Sequence, residues 1–459
     1  MEEVYLQLPT ALVPDYTCDV NCPIPLYEGR GFLEGPNGDI SVDCRIAYTW
    51  RPSGGPEATL SPTIFSPDFF KLVRNDEKYF LRVPAIGLRV SVSKRRFTHG
   101  DNGTVLTVII EKEVRMGNPI NLTRVVFHIA NFPHVLGETI TTITQAWLSG
   151  RINLKDQLWA IEIDPIEKYG EQKTFSQQLQ DERGYGITHV GSLVRLDGKP
   201  FTAEDADKVL TDIGFTLGFA RAALSFPILR SGYDSSGTKV WQCWSGFAAD
   251  AWQPRSTWFS SQQPKILQSL FLGFRQLIGN PHEEVIIAAL GLYIDAHTAT
   301  LTDESRLVII QAALEGLASG WTFQPLPGAP ALTGFKTGEA SERIAHIAIS
   351  LGLSLVVPQE LTELIALEHP DKNSPPLTKM TWVRNSIAHL GRYPQLAKHT
   401  WEVRHEAYML AAWHLELSLL RLLGADGLYQ NRLIARRSGD VLQLPWVVQP
   451  AATSQIGSV

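Results

Sequence analysis

Cysteines and long apolar runs are scarce in this chain. Four cysteines (Cys18, Cys22, Cys44 and Cys243) among 459 residues are too few to staple a protein of this size, which excludes a disulfide scaffold. Cys18 and Cys22 have the spacing of half a metal site, but no second close pair follows them. Buried or free thiols are the simpler expectation, and no metal or cofactor is expected. No apolar run reaches the roughly 18 residues that a bilayer span needs, so no membrane partner is expected. The opening residues MEEVYLQLPT are acidic, unlike a secretory signal or transit peptide, and the expectation is a cytoplasmic protein. The sequons at Asn102 and Asn121 therefore carry no meaning. Neither G-x-x-x-x-G-K-[ST] nor G-x-S-x-G is present, which disfavours P-loop nucleotide hydrolysis and α/β-hydrolase chemistry. Basic charge is also short: 41 Lys/Arg against 47 Asp/Glu give −6, the wrong sign for a protein that coats nucleic acid.

What is present belongs to a folded, multidomain protein. Apolar content of 44% and charged content of 19% are those of globular chains, and the length predicts two or three domains. The expected fold class is α+β multidomain. A β-rich region comes first, as a sandwich or a curled antiparallel sheet with an α+β layer, and an all-α helical bundle follows. Boundaries are expected at 1–150, 151–258 and 259–435, with an arm or tail over 436–459.

The β-rich reading rests on runs such as ISVDCRIAYTW, YFLRVPAIGLRVSV, TVLTVIIEKEV, TRVVFHIANF and QLWAIEIDP, rich in Val, Ile, Thr and aromatics. Pro36-Asn37-Gly38 and Asp101-Asn102-Gly103 supply turn chemistry between them. One helix interrupts the pattern: Thr202 caps it, Glu204 and Asp205 favour its positive end, and Val209, Ile213 and Leu217 share a face. After Pro254 the signals become helical. Asn280-Pro281-His282-Glu283 opens one helix and Thr302-Asp303-Glu304 another, through Leu317. Further helices are expected near Glu339–Leu355, Gln359–Glu368, Leu377–Leu390 and Trp401–Leu423. The last of these carries Leu410, Trp413, Leu417 and Leu420 on one face and ends at Gly424.

The run Trp382-Val383-Arg384-Asn385-Ser386-Ile387-Ala388-His389 carries the chemistry. At about 100° per residue, Met380, Val383, Ile387 and Leu390 form the core stripe, and Asn385 and His389 lie nearly opposite it. Arg384 flanks them. Arginine holds a phosphate oxygen bidentately at any physiological pH. Histidine can accept and donate protons near neutrality, and asparagine can donate to phosphate or orient the imidazole. Such a set suits phosphoester chemistry without a metal. The surrounding segment from Pro376 to Arg437 holds nine Lys/Arg against four acids, a balance of +5 that leaves −11 for the remainder. A basic island is the minimum a phosphate-handling site requires.

R-N-x-x-x-H late in a helical bundle, followed by a turn and one long closing helix, resembles the HEPN superfamily, including its abortive-infection members. The resemblance covers residues from about 260 to 435; the first 255 residues suggest no family. It implies a two-fold homodimer in which two motif helices form one composite site. It also implies metal-independent RNA cleavage, in which the ribose 2′-hydroxyl attacks its own 3′-phosphate. Catalysis falls to Arg384, Asn385 and His389. Arg404, His405, Lys379 and Arg392 are expected to bind the RNA substrate, the first two because the closing helix packs beside the motif helix in this family. The expectation is an endoribonuclease effector under a β-rich sensor, in bacterial antiphage defence, with a phage-derived trigger or partner protein. The alternative is an inactive HEPN dimerisation scaffold whose N-terminal region binds a ligand or protein. His399, His405 and His414 have no zinc-motif spacing, and helix-surface or capping positions are expected for them.

Overall fold

The computed structural model describes residues 8–35, 38–50, 55–63, 79–100, 103–111, 113–142, 146–166, 172–245, 249–298, 300–323, 340–368, 377–389, 399–434, 437 and 439–447. The chain divides into two compact units. The first comprises Met1–His134, Glu138–Leu217 and Leu224–Pro254; the second comprises Val135–Gly137, Gly218–Ala223 and Arg255–Val459.

The first unit contains a closed six-stranded antiparallel barrel, in the order β1 (Ile24–Gly35), β2 (Gly38–Thr49), β3 (Gly55–Pro62), β6 (Gly103–Ile110), β5 (Leu88–Gly100) and β4 (Tyr79–Val83). Alternation makes it. Along β2, Val42, Cys44, Ile46 and Tyr48 point into a core completed by Ile24, Leu60, Leu81 and Val108, while the residues between them face outward. The sheet curls until β4 meets β1 at Leu33↔Leu81, which leaves no open edge; of the two expected forms it is the curled antiparallel sheet, closed into a barrel, and not the sandwich. Outside this seam Arg82 bonds Glu34 and Asp39, and Arg89 bonds Glu34.

An eight-stranded antiparallel sheet forms the rest of the first unit. Its order is β7 (Val114–Gly117), β14 (Lys239–Trp244), β13 (Ile228–Tyr233), β8 (Arg124–Ala130), β12 (Ile187–Arg195), β11 (Trp159–Pro165), β10 (Trp147–Lys155) and β9 (Glu138–Thr141). Residue 150, where a separate layer was expected to begin, lies inside β10, which pairs with β9 on one side and β11 on the other. Strands from both sides of that position therefore share one set of ladders, and the change of architecture comes earlier, after β6. Helix α1 (Gln172–Glu182) precedes β12 and α2 (Ala203–Arg221) follows it. Thr202 Oγ1 accepts from the Asp205 amide at 3.1 Å while Asp205 Oδ2 accepts from the Thr202 amide at 3.1 Å, a reciprocal cap at the predicted helix start.

The second unit is helical: α3 (Ile266–Leu277), α4 (Glu283–Ala296), α5 (Asp303–Phe323), α6 (Ala340–Ser350), α7 (Thr362–Ala366), α8 (Thr378–Ala388) and α9 (Trp401–Leu422). The long helices α5 and α9 pack together and carry most of the others. Helices α4 and α9 each open on a side-chain acceptor for a backbone amide. Glu283 accepts from the Gly279 amide at 2.9 Å ahead of α4, and Thr400 accepts from the Val403 amide at 3.3 Å at the start of α9. Gly424 adopts φ +65 immediately past α9, a left-handed stop that glycine takes without steric cost. Two short strands, β15 (Leu428–Tyr429) and β16 (Leu442–Gln443), pair after the bundle. Among the described residues no helix is long and apolar enough to cross a membrane.

Candidate functional site

Helix α8 places the R-N-x-x-x-H residues. Leu377, Met380 and Val383 are buried and fix its inner face, as the stripe predicts; Leu390 lies outside the described residues. Thr381 and Ser386 are buried too, and Ser386 donates its hydroxyl to the Trp382 carbonyl at 3.1 Å. Ala388 is exposed.

The helix ends one residue before His389. His389 has extended backbone (φ −114, ψ 94), although its amide still donates to the Asn385 carbonyl at 3.2 Å. Its imidazole is exposed, and the amide bond keeps His389 one turn past Asn385, at the very end of the helix.

Arg384 is half-buried. Its Nη1 donates to Asn385 Oδ1 at 3.1 Å, its Nη2 lies 3.8 Å from Glu315 Oε1 on α5, and its Nε has no hydrogen-bond partner. Glu315 Oε1 also accepts from Gln311 Nε2 at 3.0 Å. The guanidinium is thus oriented by neighbours that leave part of its donor capacity unmet.

The substrate-binding candidates are dispersed. Lys379 donates to the carbonyls of Leu364 and Ile365, at 3.1 and 2.7 Å, and so caps the end of α7 rather than facing a ligand. Arg404 pairs with Glu304 at 3.1 Å, and His405 Nδ1 meets Asp303 Oδ2 at 2.7 Å with its ring stacked on Trp401. Asp303 and Glu304 open α5, whereas Glu315 stands about three turns later. At 1.5 Å per residue this separates the Arg404/His405 contacts from those of Arg384 by about 16–18 Å along α5. The expected common groove is therefore not formed by these side chains. Arg392 lies outside the described residues.

The basic island is also partly internal. Arg432 is buried and bonds Glu416, with Nε to Oε2 at 2.8 Å and Nη2 to Oε1. Tyr293 donates its hydroxyl to Glu416 Oε1 at 2.7 Å, and Arg432 Nη2 donates to His297 Nε2 at 2.9 Å. His297 Nδ1 then carries a proton for the Tyr293 carbonyl at 2.7 Å, and burial followed by the Arg432 charge holds the imidazole far below its ordinary pKa. No sequence spacing flags this network, because residues 293, 297, 416 and 432 meet only through tertiary packing.

His399 and His414 are buried, not on a helix surface as expected. His414 sits on α9 among Leu410, Leu415 and Leu417, in a helix enclosed on most sides, and burial lowers its pKa to about 4. His399 packs edge-on against Trp382 with ring centroids 4.8 Å apart. Burial and Arg404 lower its pKa. Trp241 and Trp244, whose role the sequence leaves open, are core residues.

Two stretches resemble the YopA proteins. Residues 117–255 match the family model described as YopA central domain, and residues 280–443 match that of the YopA C-terminal domain. A curated relative, the "SPbeta prophage-derived uncharacterized protein YopA" of Bacillus subtilis (strain 168), is 26% identical over 419 residues, which is 90% of this chain and 93% of that protein. No solved structure matches. The central-domain match begins at the end of β7 and takes in the remainder of the eight-stranded sheet; the C-terminal match runs from the start of α4 to β16.

Proposed function

We propose that this chain is a metal-independent endoribonuclease of HEPN type that acts in the cytoplasm as a homodimer. The observation that carries the reading is the end of α8, where Arg384 and Asn385 are hydrogen-bonded to each other and His389 stands exposed just beyond the helix terminus. One such end offers a single guanidinium and a single imidazole to water, where each phosphate contact is worth little. Two ends meeting about a two-fold axis double the charge and exclude solvent. In that composite site one His389 accepts the proton of the ribose 2′-hydroxyl. The 2′-oxygen forms its bond to the adjacent phosphorus, the bond to the 5′-oxygen breaks, and the second His389 protonates the leaving oxygen. Arg384 holds the non-bridging phosphate oxygens and Asn385 keeps the guanidinium aimed. The products are a 2′,3′-cyclic phosphate and a 5′-hydroxyl. The β-rich unit is the regulatory part, responding to a phage-derived trigger or partner protein in antiphage defence. The prophage derivation of the curated relative supports a setting in phage biology.

The second reading is a non-catalytic dimerising scaffold, and the approach of Arg384 to Glu315, which engages the guanidinium within the chain itself, favours it. Expression in a bacterial host separates the two. Wild type is expected to arrest growth when triggered by infection, and His389→Ala is expected to be harmless. Ala388→Trp, at an exposed position beside the motif, is expected to keep the fold while weakening the dimer and lowering activity, as read by light scattering and RNA cleavage. Equal toxicity of wild type and His389→Ala favours the scaffold.

A further inference from the structure

The first unit holds a second candidate site, a partly open cavity. Phe132, Phe175, Leu179 and Trp252 give it apolar walls, and His134 and His189 supply imidazoles. Among the described residues no Lys, Arg, Asp or Glu lines it.

The hydrogen bonds around His189 fix what it offers. The Thr188 hydroxyl donates to the Ile129 carbonyl at 3.3 Å and accepts from the Phe132 amide at 3.0 Å. Its only proton is therefore engaged. For all three contacts to be hydrogen bonds, the Thr188 oxygen accepts at His189 Nδ1, 3.0 Å away, which puts the imidazole hydrogen on Nδ1. His189 is buried, and burial together with nearby His134 lowers its pKa to about 3, so the ring is neutral. Nε2 is then a bare acceptor, and it has no hydrogen-bond partner among the described residues. His134 stands at the exposed side, where its Nε2 donates to the Ser149 carbonyl at 2.8 Å.

From this geometry we infer that the cavity binds a small neutral molecule with an apolar, ring-sized body and a hydroxyl or N–H group that donates to Nε2 of His189. A buried acceptor left without a donor is costly, and a ligand donor removes that cost only if the molecule brings a hydrogen to the right place. Specificity therefore comes from the donor, and affinity from the aromatic walls.

Paired probes test this on the full chain: phenol against anisole, indole against 1-methylindole, and cyclohexanol against methoxycyclohexane, each titrated by calorimetry or ligand-observed NMR. At least one donor-bearing probe is expected to bind wild type about tenfold or more tightly than its methylated partner. His189→Phe keeps the ring bulk and is expected to remove that difference while leaving the methylated probes unchanged. Leu179→Trp fills the space and is expected to abolish binding of both members. Equal affinity within every pair, binding that survives Leu179→Trp, or no binding by any donor probe at millimolar concentration overturns the proposal. The wild-type comparison stands even if His189→Phe fails to fold.

Discussion

The helical unit contains two arginine–histidine constellations that differ in how their polar atoms are met. In the first, Arg432 and Glu416 are buried, bonded to each other, to Tyr293 and to His297 at 2.9 Å or less. In the second, Arg384 stands 3.8 Å from Glu315, its Nε has no partner, and His389 is exposed. A buried ion pair without gaps holds its neighbours in one arrangement; a half-exposed guanidinium with donors to spare can still recognise something else. Residue type alone does not separate these cases. The first constellation belongs to the fold, and the second is the one proposed for the chemistry.

The largest effect that sharpens this contrast is loss of one partner of the buried pair. Arg432→Met or Glu416→Gln is expected to destabilise the protein by about 3–5 kcal/mol, since either leaves a buried group uncompensated. Urea denaturation measures it. A cost below about 1 kcal/mol would place the buried network on a level with the α8 face and erase the distinction.

Next comes acid. Burial lowers His128 and His414 to about 4 and His189 to about 3, from an ordinary 6.5. Between these values the unfolded chain binds protons that the folded chain refuses, so stability should be constant above about pH 6.5 and fall as pH drops toward about 4. Thermal midpoints from pH 7.5 to 4.5 read the slope. His414→Phe should flatten the part belonging to the helical unit, and an unchanged slope would mean that His414 becomes charged without cost.

The smallest effect concerns Glu315. A half-exposed ion pair at 3.8 Å is worth about 0–1 kcal/mol, so Glu315→Gln should change stability by no more than that. It should raise RNA affinity by at most about fivefold, as Arg384 loses a competing anion. Fluorescence anisotropy with a labelled single-stranded RNA measures the change, and a loss of affinity would mean that Glu315 positions Arg384 instead of competing for it.

The sequence made much of this architecture legible because the signals were local. Period-two alternation marks β2, an Asn-Gly signal marks the β5–β6 hairpin, and caps at Thr202 and Thr302 mark the starts of α2 and α5. Barrel closure was not legible, because the β1–β4 seam joins segments far apart in the chain. The α8 stripe is legible at Met380 and Val383, which are buried, while Ile387 is only half-buried, and the end of the helix at His389 is not legible, since a wheel carries no stop signal. Arg404 and His405 were assigned to the α8 face on closing-helix packing; their acidic partners on α5 place them elsewhere. Glu315, Glu416 and the cavity around His189 carried no pattern that spacing could reveal.

The central claim is that the end of α8 cleaves RNA. Its most direct test is to incubate the purified full chain with a defined single-stranded RNA in excess EDTA and to identify the new ends by mass spectrometry. The account predicts 2′,3′-cyclic phosphate and 5′-hydroxyl ends from wild type. It predicts none from Arg384→Ala or His389→Ala, and a double variant hardly worse than either, with folding stability within about 0.5–1 kcal/mol of wild type throughout. Cleavage that persists in His389→Ala, or that appears only when divalent ions are added back, would contradict it.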